Sequence, residues 1–160
     1  MLIRRARLED LSALLELCAE HADYEHAAFD PIGKRDALAS VLFSATPRMY
    51  AWVVEHQAVV VGYATATREF STWSASEYLH IDCLFLREGH RGCGAGLDLM
   101  REMARAAVAM NIGEMQWQTP DWNERAINFY RRLGAVSKMK QRFALSVLEL
   151  EALFGESPGS

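Results

Sequence analysis

Arg91-Gly92-Cys93-Gly94-Ala95-Gly96 is the stretch whose residue types could hold an anion. Glycines at alternate positions let the main chain bend sharply and be approached closely. The run Leu97 to Met110 behind it reads as a helix, so unpaired N–H groups and the positive end of a helix dipole face the bend. Arg91 adds a permanent cation at the mouth. Phosphate suits such a loop best, which makes it a candidate cradle for a nucleotide-like cofactor. A strand-to-helix turn that needs glycine and binds nothing fits the same residues. Spacing rejects the commoner glycine loops. G-x-G-x-x-G fails because Leu97 and Leu99 stand where its third glycine belongs. A phosphate-binding G-x-x-x-x-G-K-[ST] fails at Gly33-Lys34, with Ala28 before it and Arg35 after.

Other side chains could move protons. Asp82 lies inside the apolar run Leu79 to Leu86, where a carboxylate needs a local hydrogen bond or a function. His80 is a competing base with an ordinary pKa nearer neutrality. Cys93 could act as a nucleophile, but no histidine is placed beside it by sequence; a tolerated loop side chain is the simpler reading. The five histidines show no metal spacing and H-E-x-x-H is absent, so no metal is expected.

The whole chain bounds what these groups can serve. A length of 160 residues predicts one domain over 1–154, with 155–160 as a disordered tail. The apolar share of 51% can fill a core, yet no run reaches the length of a membrane span. Met1-Leu2-Ile3-Arg4-Arg5 meets charge too early for a secretory signal. A net charge of −4 without a basic cluster argues against nucleic acid. Three cysteines with no C-x-x-C suit a reducing cytoplasm.

The elements that must position the groups follow from periodicity. Leu2 to Ala6 predicts a first strand. Leu11, Leu14, Leu15 and Cys18 recur on one helical face. Lys34 to Phe43 predicts a second helix. Tyr50 to Glu55 and Val59 to Thr67 form a hairpin around His56-Gln57, and Gly62 marks a bulge or close packing. Tyr78 to Leu86 is the strand that feeds the glycine loop. Glu114 to Thr119 is the next strand, Glu124 to Leu133 a helix stopped by Gly134, Val136 to Leu145 a last strand, and Leu148 to Phe154 a short amphipathic helix.

The second landmark is Asp121-Trp122-Asn123-Glu124-Arg125-Ala126-Ile127-Asn128-Phe129-Tyr130, followed by Arg131-Arg132-Leu133-Gly134-Ala135. With the glycine loop in this order, it resembles the GNAT superfamily of acyl-CoA-dependent N-acetyltransferases. Tyr24-Glu25, Phe70-Ser71-Thr72-Trp73 and Tyr78 to Arg91 extend the similarity to its spermidine/spermine (diamine) N-acetyltransferase group. The resemblance implies an α/β fold: a mixed, twisted sheet of six to seven strands flanked by helices, splayed between the fourth and fifth strands. Acetyl-CoA would enter that V as acyl donor. Leu84, Phe85 and Leu86 would pair with its pantetheine arm through their main chain. Arg91, Gly92, Cys93, Gly94, Ala95, Gly96 and Leu97 would hold its pyrophosphate. Asn123, Glu124, Arg125 and Ala126 would line the other side.

By the same resemblance Tyr130 is the general acid and Asp82 stands where the group places a catalytic Glu. Tyr24 and Glu25 match a pair that helps bind the amine, and Gln116, Trp117 and Gln118 face the acceptor. The group carries two successive acids where this chain has Asp82-Cys83, so attraction for a polycation is weaker here. The implied activity is direct acetyl transfer to a primary amine of a small molecule: a diamine, a polyamine or an amino-acid-like acceptor. A protein or antibiotic amine, or an acyl-CoA sensor without turnover, are the alternatives. A homodimer is implied by the resemblance alone.

Overall fold

The computed structural model describes residues 1–154; the tail expected at 155–160 lies outside the described residues. The chain falls into two compact units, Met1–Pro120 and a second beginning at Asp121.

The first unit is built on a five-stranded sheet in the order β1-β2-β3-β4-β5. β1 (Leu2–Arg5), β2 (Met49–His56), β3 (Val59–Ser71) and β4 (Ser76–Leu86) pair antiparallel in sequence order. β5 (Met115–Trp117) pairs parallel to β4. The β2–β3 turn is Gln57-Ala58, with φ of +50° and +62°, the left-handed pair that matches strand twist in a two-residue hairpin. α1 (Leu11–Tyr24) and α2 (Lys34–Leu42) cover one face. There Leu11, Leu14 and Leu17 of α1 cluster with Leu42, Ala51, Val53, Tyr63 and Phe85. α3 (Ala95–Ala109) buries Leu99, Met100, Met103 and Ala107. Its close neighbours are β1 to β4. Arg4 ties β1 to the start of α1: its guanidinium grips both Asp10 oxygens at 2.7 and 2.9 Å and reaches Glu55 at 2.9 Å. The Arg4 hydrogen bonds hold the buried Asp10 carboxyl below the usual carboxylate range.

Two bulges shape the strands that matter for the site. Val54 opposes Gly62 and Glu55 opposes Val60, so Val61 is an extra residue on β3. Thr65 opposes Cys83 and Ala66 opposes Ile81, so Asp82 is an extra residue on β4. Gly62, foreseen as a bulge or close packing, is the close approach, and the extra residue is its neighbour Val61. A Cβ there would lie 2.4 Å from Leu86 Cδ2 and 2.8 Å from the Phe85 carbonyl oxygen. Gly62→Ala must therefore push the end of β4 outward. We expect a loss of about 1–3 kcal/mol, the usual cost of overpacking, read as a lower urea midpoint at unchanged slope. A midpoint equal to the parent's would mean that Leu86 swings aside without strain.

The second unit carries α4 (Glu124–Arg132) and α5 (Val147–Phe154). The strand count corrects the expected six to seven: the described residues form five. Val136 to Leu145 has no regular structure. Its alternating pattern is real, but a strand needs a neighbour to take its hydrogen bonds. None pairs with it among the described residues, and Met139, Phe143 and Leu145 are exposed.

Candidate active site

The open end of β4 is set by the brevity of β5. Only Leu79, His80 and Ile81 have β5 partners: Met115, Gln116 and Trp117. From Asp82 to Leu86 that edge of β4 has no β5 partner, which is the splay expected between the fourth and fifth strands. Asp82, as the extra residue of the bulge, is exposed rather than enclosed in the apolar run. Leu84 is half-buried; Phe85 and Leu86 are buried.

The glycine bend follows. Gly92 and Gly94 take φ of +83° and +94°, which L side chains rarely adopt. A Cβ built on either meets no heavy atom within 4 Å, so the space beside both is open. Gly94 is the residue before α3, and the helix's opening bond runs from the Asp98 amide to the Gly94 carbonyl at 3.0 Å. The amides of Ala95, Gly96 and Leu97 precede that bond, so they are the orphan donors of the helix start. This donor set fits a diphosphate. Cys93 is exposed at the bend and its thiol donates to the His90 carbonyl at 2.9 Å. Arg91 does more than cap the mouth. Its Nε donates to the Leu86 carbonyl at 2.6 Å, and its guanidinium carbon lies 4.6 Å above the Tyr24 ring and 5.3 Å from Phe85. One main-chain acceptor expected to meet the donor's arm therefore already carries a hydrogen bond.

Tyr24 and Glu25 stand at the end of α1 beside a cluster that sequence reasoning missed. His21 Nδ1 is 3.1 Å from the Tyr63 hydroxyl, and Nε2 is 3.3 Å from Glu25 Oε1. The imidazole stacks on Phe85, with centroids 5.0 Å apart at 23°. Burial lowers the His21 pKa, partly offset by the Glu25 carboxylate, and the charges of Arg91 and Asp82 also reach the ring. Burial raises the Tyr63 pKa, and the neighbouring Cys83 and Cys18 thiols add to that. Burial also raises the Cys18 thiol and pushes Cys83 up to about 12, so neither is a ready nucleophile. Arg87, just past β4, is held by Glu20 of α1 at 2.6 Å, fastening this helix end to the strand exit. The i,i+4 spacing of His21 and Glu25 was visible in the chain; the partner 42 residues on was not.

On β5, Gln116 is exposed and its amide donates to Glu114 at 3.0 Å. Trp117 is half-buried, and Gln118 is exposed just past the strand. His80, opposite Gln116, is half-buried. In the second unit, Asn123 is buried and its Oδ1 accepts the Ala126 amide at 3.2 Å, so its side chain caps α4. Glu124 and Arg125 are exposed in the first turn, and Ala126 is half-buried. Tyr130 is half-buried in the last turn of α4. Its carbonyl accepts the Ala135 amide at 3.1 Å, with Gly134 at φ +84° making the left-handed stop that was expected. Among the described residues no group of three or more His, Cys, Asp or Glu could hold a metal ion. No helix there is long and apolar enough to cross a membrane.

Comparison with known proteins agrees with this geometry. Residues 8–135 match the model of the Acetyltransferase (GNAT) family. Thialysine N-epsilon-acetyltransferase of Bos taurus is 27% identical over 143 residues, covering 84% of each chain. L-ornithine N5-acetyltransferase NATA1 of Arabidopsis thaliana is 35% identical over 77 residues, 48% of this chain and 34% of that one. The crystal structure of a probable acetyltransferase superposes with a TM-score of 0.77 at 19% identity, covering 92% of this chain and 98% of that one, which is a likeness of fold. The chain thus belongs to the Acetyltransferase (GNAT) family.

Proposed function

We propose that this acetyltransferase moves the acetyl group of acetyl-CoA to a primary amine of a small diamine or amino-acid-like molecule, by direct attack. The carrying observation is the order of features along one strand: the exposed Asp82 bulge, the open β4 edge, then the glycine bend. Two relatives support the acceptor class, since their names specify a side-chain amine of thialysine and of ornithine. The family match crosses the junction at Pro120, which supports reading residues 1–154 as one functional domain. A homodimer remains part of this reading, to be weighed by light scattering.

Acetyl-CoA supplies a thioester carbon for the amine to attack. Amides at Ala95, Gly96 and Leu97 hold the diphosphate, and the open edge from Asp82 to Leu86 orients the arm. An alkyl ammonium has a pKa of about 10.4, so freeing its lone pair near pH 7.4 costs roughly 4 kcal/mol. Asp82 receives that proton, through water where its short side chain falls short. The new C–N bond forms as C–S breaks, the nitrogen's remaining excess proton passes to the departing sulfur, and the Tyr130 hydroxyl hydrogen-bonds that sulfur while its charge develops.

The test is thiol release with acetyl-CoA and a panel of L-ornithine, L-lysine, 1,4-diaminobutane, spermidine, an aminoglycoside and a lysine peptide. We expect kcat/KM at least tenfold higher for the basic amino acids or the diamine than for the last two. Binding of acetyl-CoA without release for any amine would instead identify a sensor.

A further inference from the structure

We propose that His21 is a positioning residue that aims the Glu25 carboxylate at the far ammonium of a doubly charged acceptor. This rests on the amine-acetyltransferase reading above and names the part of the site that selects acceptors.

The argument starts from what each nitrogen of the ring can do. Glu25 only accepts hydrogen bonds, so Nε2 carries the proton and donates across the 3.3 Å contact. In a neutral ring Nδ1 then accepts, and the Tyr63 hydroxyl donates to it across 3.1 Å. Burial favours that neutral ring. Both nitrogens are therefore occupied, which removes His21 as the proton acceptor for the amine. The ring is also clamped in plane by Phe85 at 5.0 Å. Donors run in one direction, from the Tyr63 hydroxyl through the imidazole to Glu25, and each polarises the next.

The carboxylate so held is poorly compensated. Glu25 is the residue that closes α1, where the negative end of the helix dipole disfavours an anion. Among the described residues His21 is the side chain that hydrogen-bonds it, and burial disfavours a charge on that ring. Its side chain keeps 35% of its surface exposed, so a cation can reach it. Asp82 is exposed as well, and both carboxylates act electrostatically on His21, so two anions flank one ring. The charge of Arg91, whose guanidinium lies 5.3 Å from the Phe85 ring that His21 stacks on, also acts on the imidazole and sets a positive limit there. Two separated carboxylates suit two ammonium groups on one short chain, with Asp82 at the reacting nitrogen and Glu25 at the other.

The experiment compares 1,4-diaminobutane with butylamine, by calorimetric Kd and by steady-state KM and kcat, in the full-length protein. His21→Leu should raise Kd and KM for the diamine about tenfold. It should leave kcat within twofold and the butylamine constants unchanged. His21→Gln, which can still donate to Glu25, should recover part of the loss, and Tyr63→Phe should move the diamine constants the same way by less. In a Glu25→Gln background, His21→Leu should add nothing, because it acts through that carboxylate. Equal effects on both amines, additivity with Glu25→Gln, or an unchanged diamine Kd would overturn the proposal. Should His21→Leu not fold, the His21→Gln and Tyr63→Phe comparison decides it alone. A parent that binds the diamine yet releases no CoA would defeat the transfer reading and leave this one to the Kd values. A parent that does neither defeats both.

Discussion

Replacing Tyr130 with phenylalanine is expected to lower kcat about a hundredfold while the acetyl-CoA Kd stays within about threefold. The reason lies in when its hydroxyl is needed. The ground-state thioester sulfur is nearly uncharged, and charge develops there only as C–S breaks. A donor aimed at that charge strengthens in the transition state alone, so its loss appears in kcat. Aqueous pKa values of about 10 for a phenol and about 8.5 for a thiol make full transfer uphill by roughly 2 kcal/mol, so a hydrogen bond is the role to test. The substitution keeps the ring that packs at 5.2 Å from Phe129, so α4 should be preserved. Steady-state turnover with a saturating amine, beside calorimetric binding of acetyl-CoA, decides it. Turnover equal to the parent's would remove Tyr130 from the chemistry.

The second large effect belongs to Asp82. Asp82→Asn should cut kcat/KM for the amine by about 10²–10³ at pH 7.4, the range typical of a lost general base. The deficit should also depend on pH. The neutral share of an amine of pKa about 10.4 is roughly a thousandth at pH 7.4 and grows tenfold per unit above it. The variant no longer removes the proton itself, so its rate should follow that share and approach the parent's toward pH 9.5. A deficit constant across this range would assign Asp82 to acceptor binding instead of proton removal. The exposed position at the bulge makes the exchange safe for folding, since an Asn side-chain oxygen can still accept from the Cys83 thiol, which lies 3.7 Å from Asp82 Oδ2.

Much of this architecture could be read from the chain because its signals are local. The glycine bend needed residues that tolerate positive φ, and Gly92 and Gly94 take it. The stop at Gly134 and the close approach at Gly62 were legible for the same reason. What escaped depends on partners distant in sequence. Asp82 read as a carboxylate inside a strand; it is a bulge only because Thr65 and Ala66 pair on either side of it. His21 read as one of five histidines without metal spacing, since Tyr63 and Phe85 meet it only when the sheet closes on α1. Val136 to Leu145 carried a strand's alternation, and pairing was the missing ingredient. Arg91 was legible as a cation beside the bend but not as the group that bonds Leu86 and lies over Tyr24.

The extra residue on β4 also shifts the in-and-out phase of the strand. Ahead of it Leu79 and Ile81 are buried, with Ile81 opposite Ala66; beyond it Cys83 and Phe85, opposite Thr65 and Tyr63, take up the odd-numbered places on the α1 side. Thr65 and Ala66 are consecutive and face opposite sides, so their partners Cys83 and Ile81 do too, although both are odd-numbered; without Asp82 the same pairs would form an unbroken ladder, with Phe85 still toward α1. Evolution can therefore vary the chemistry offered at position 82 with little penalty to the scaffold, because that residue holds no place in the ladder on either side of it.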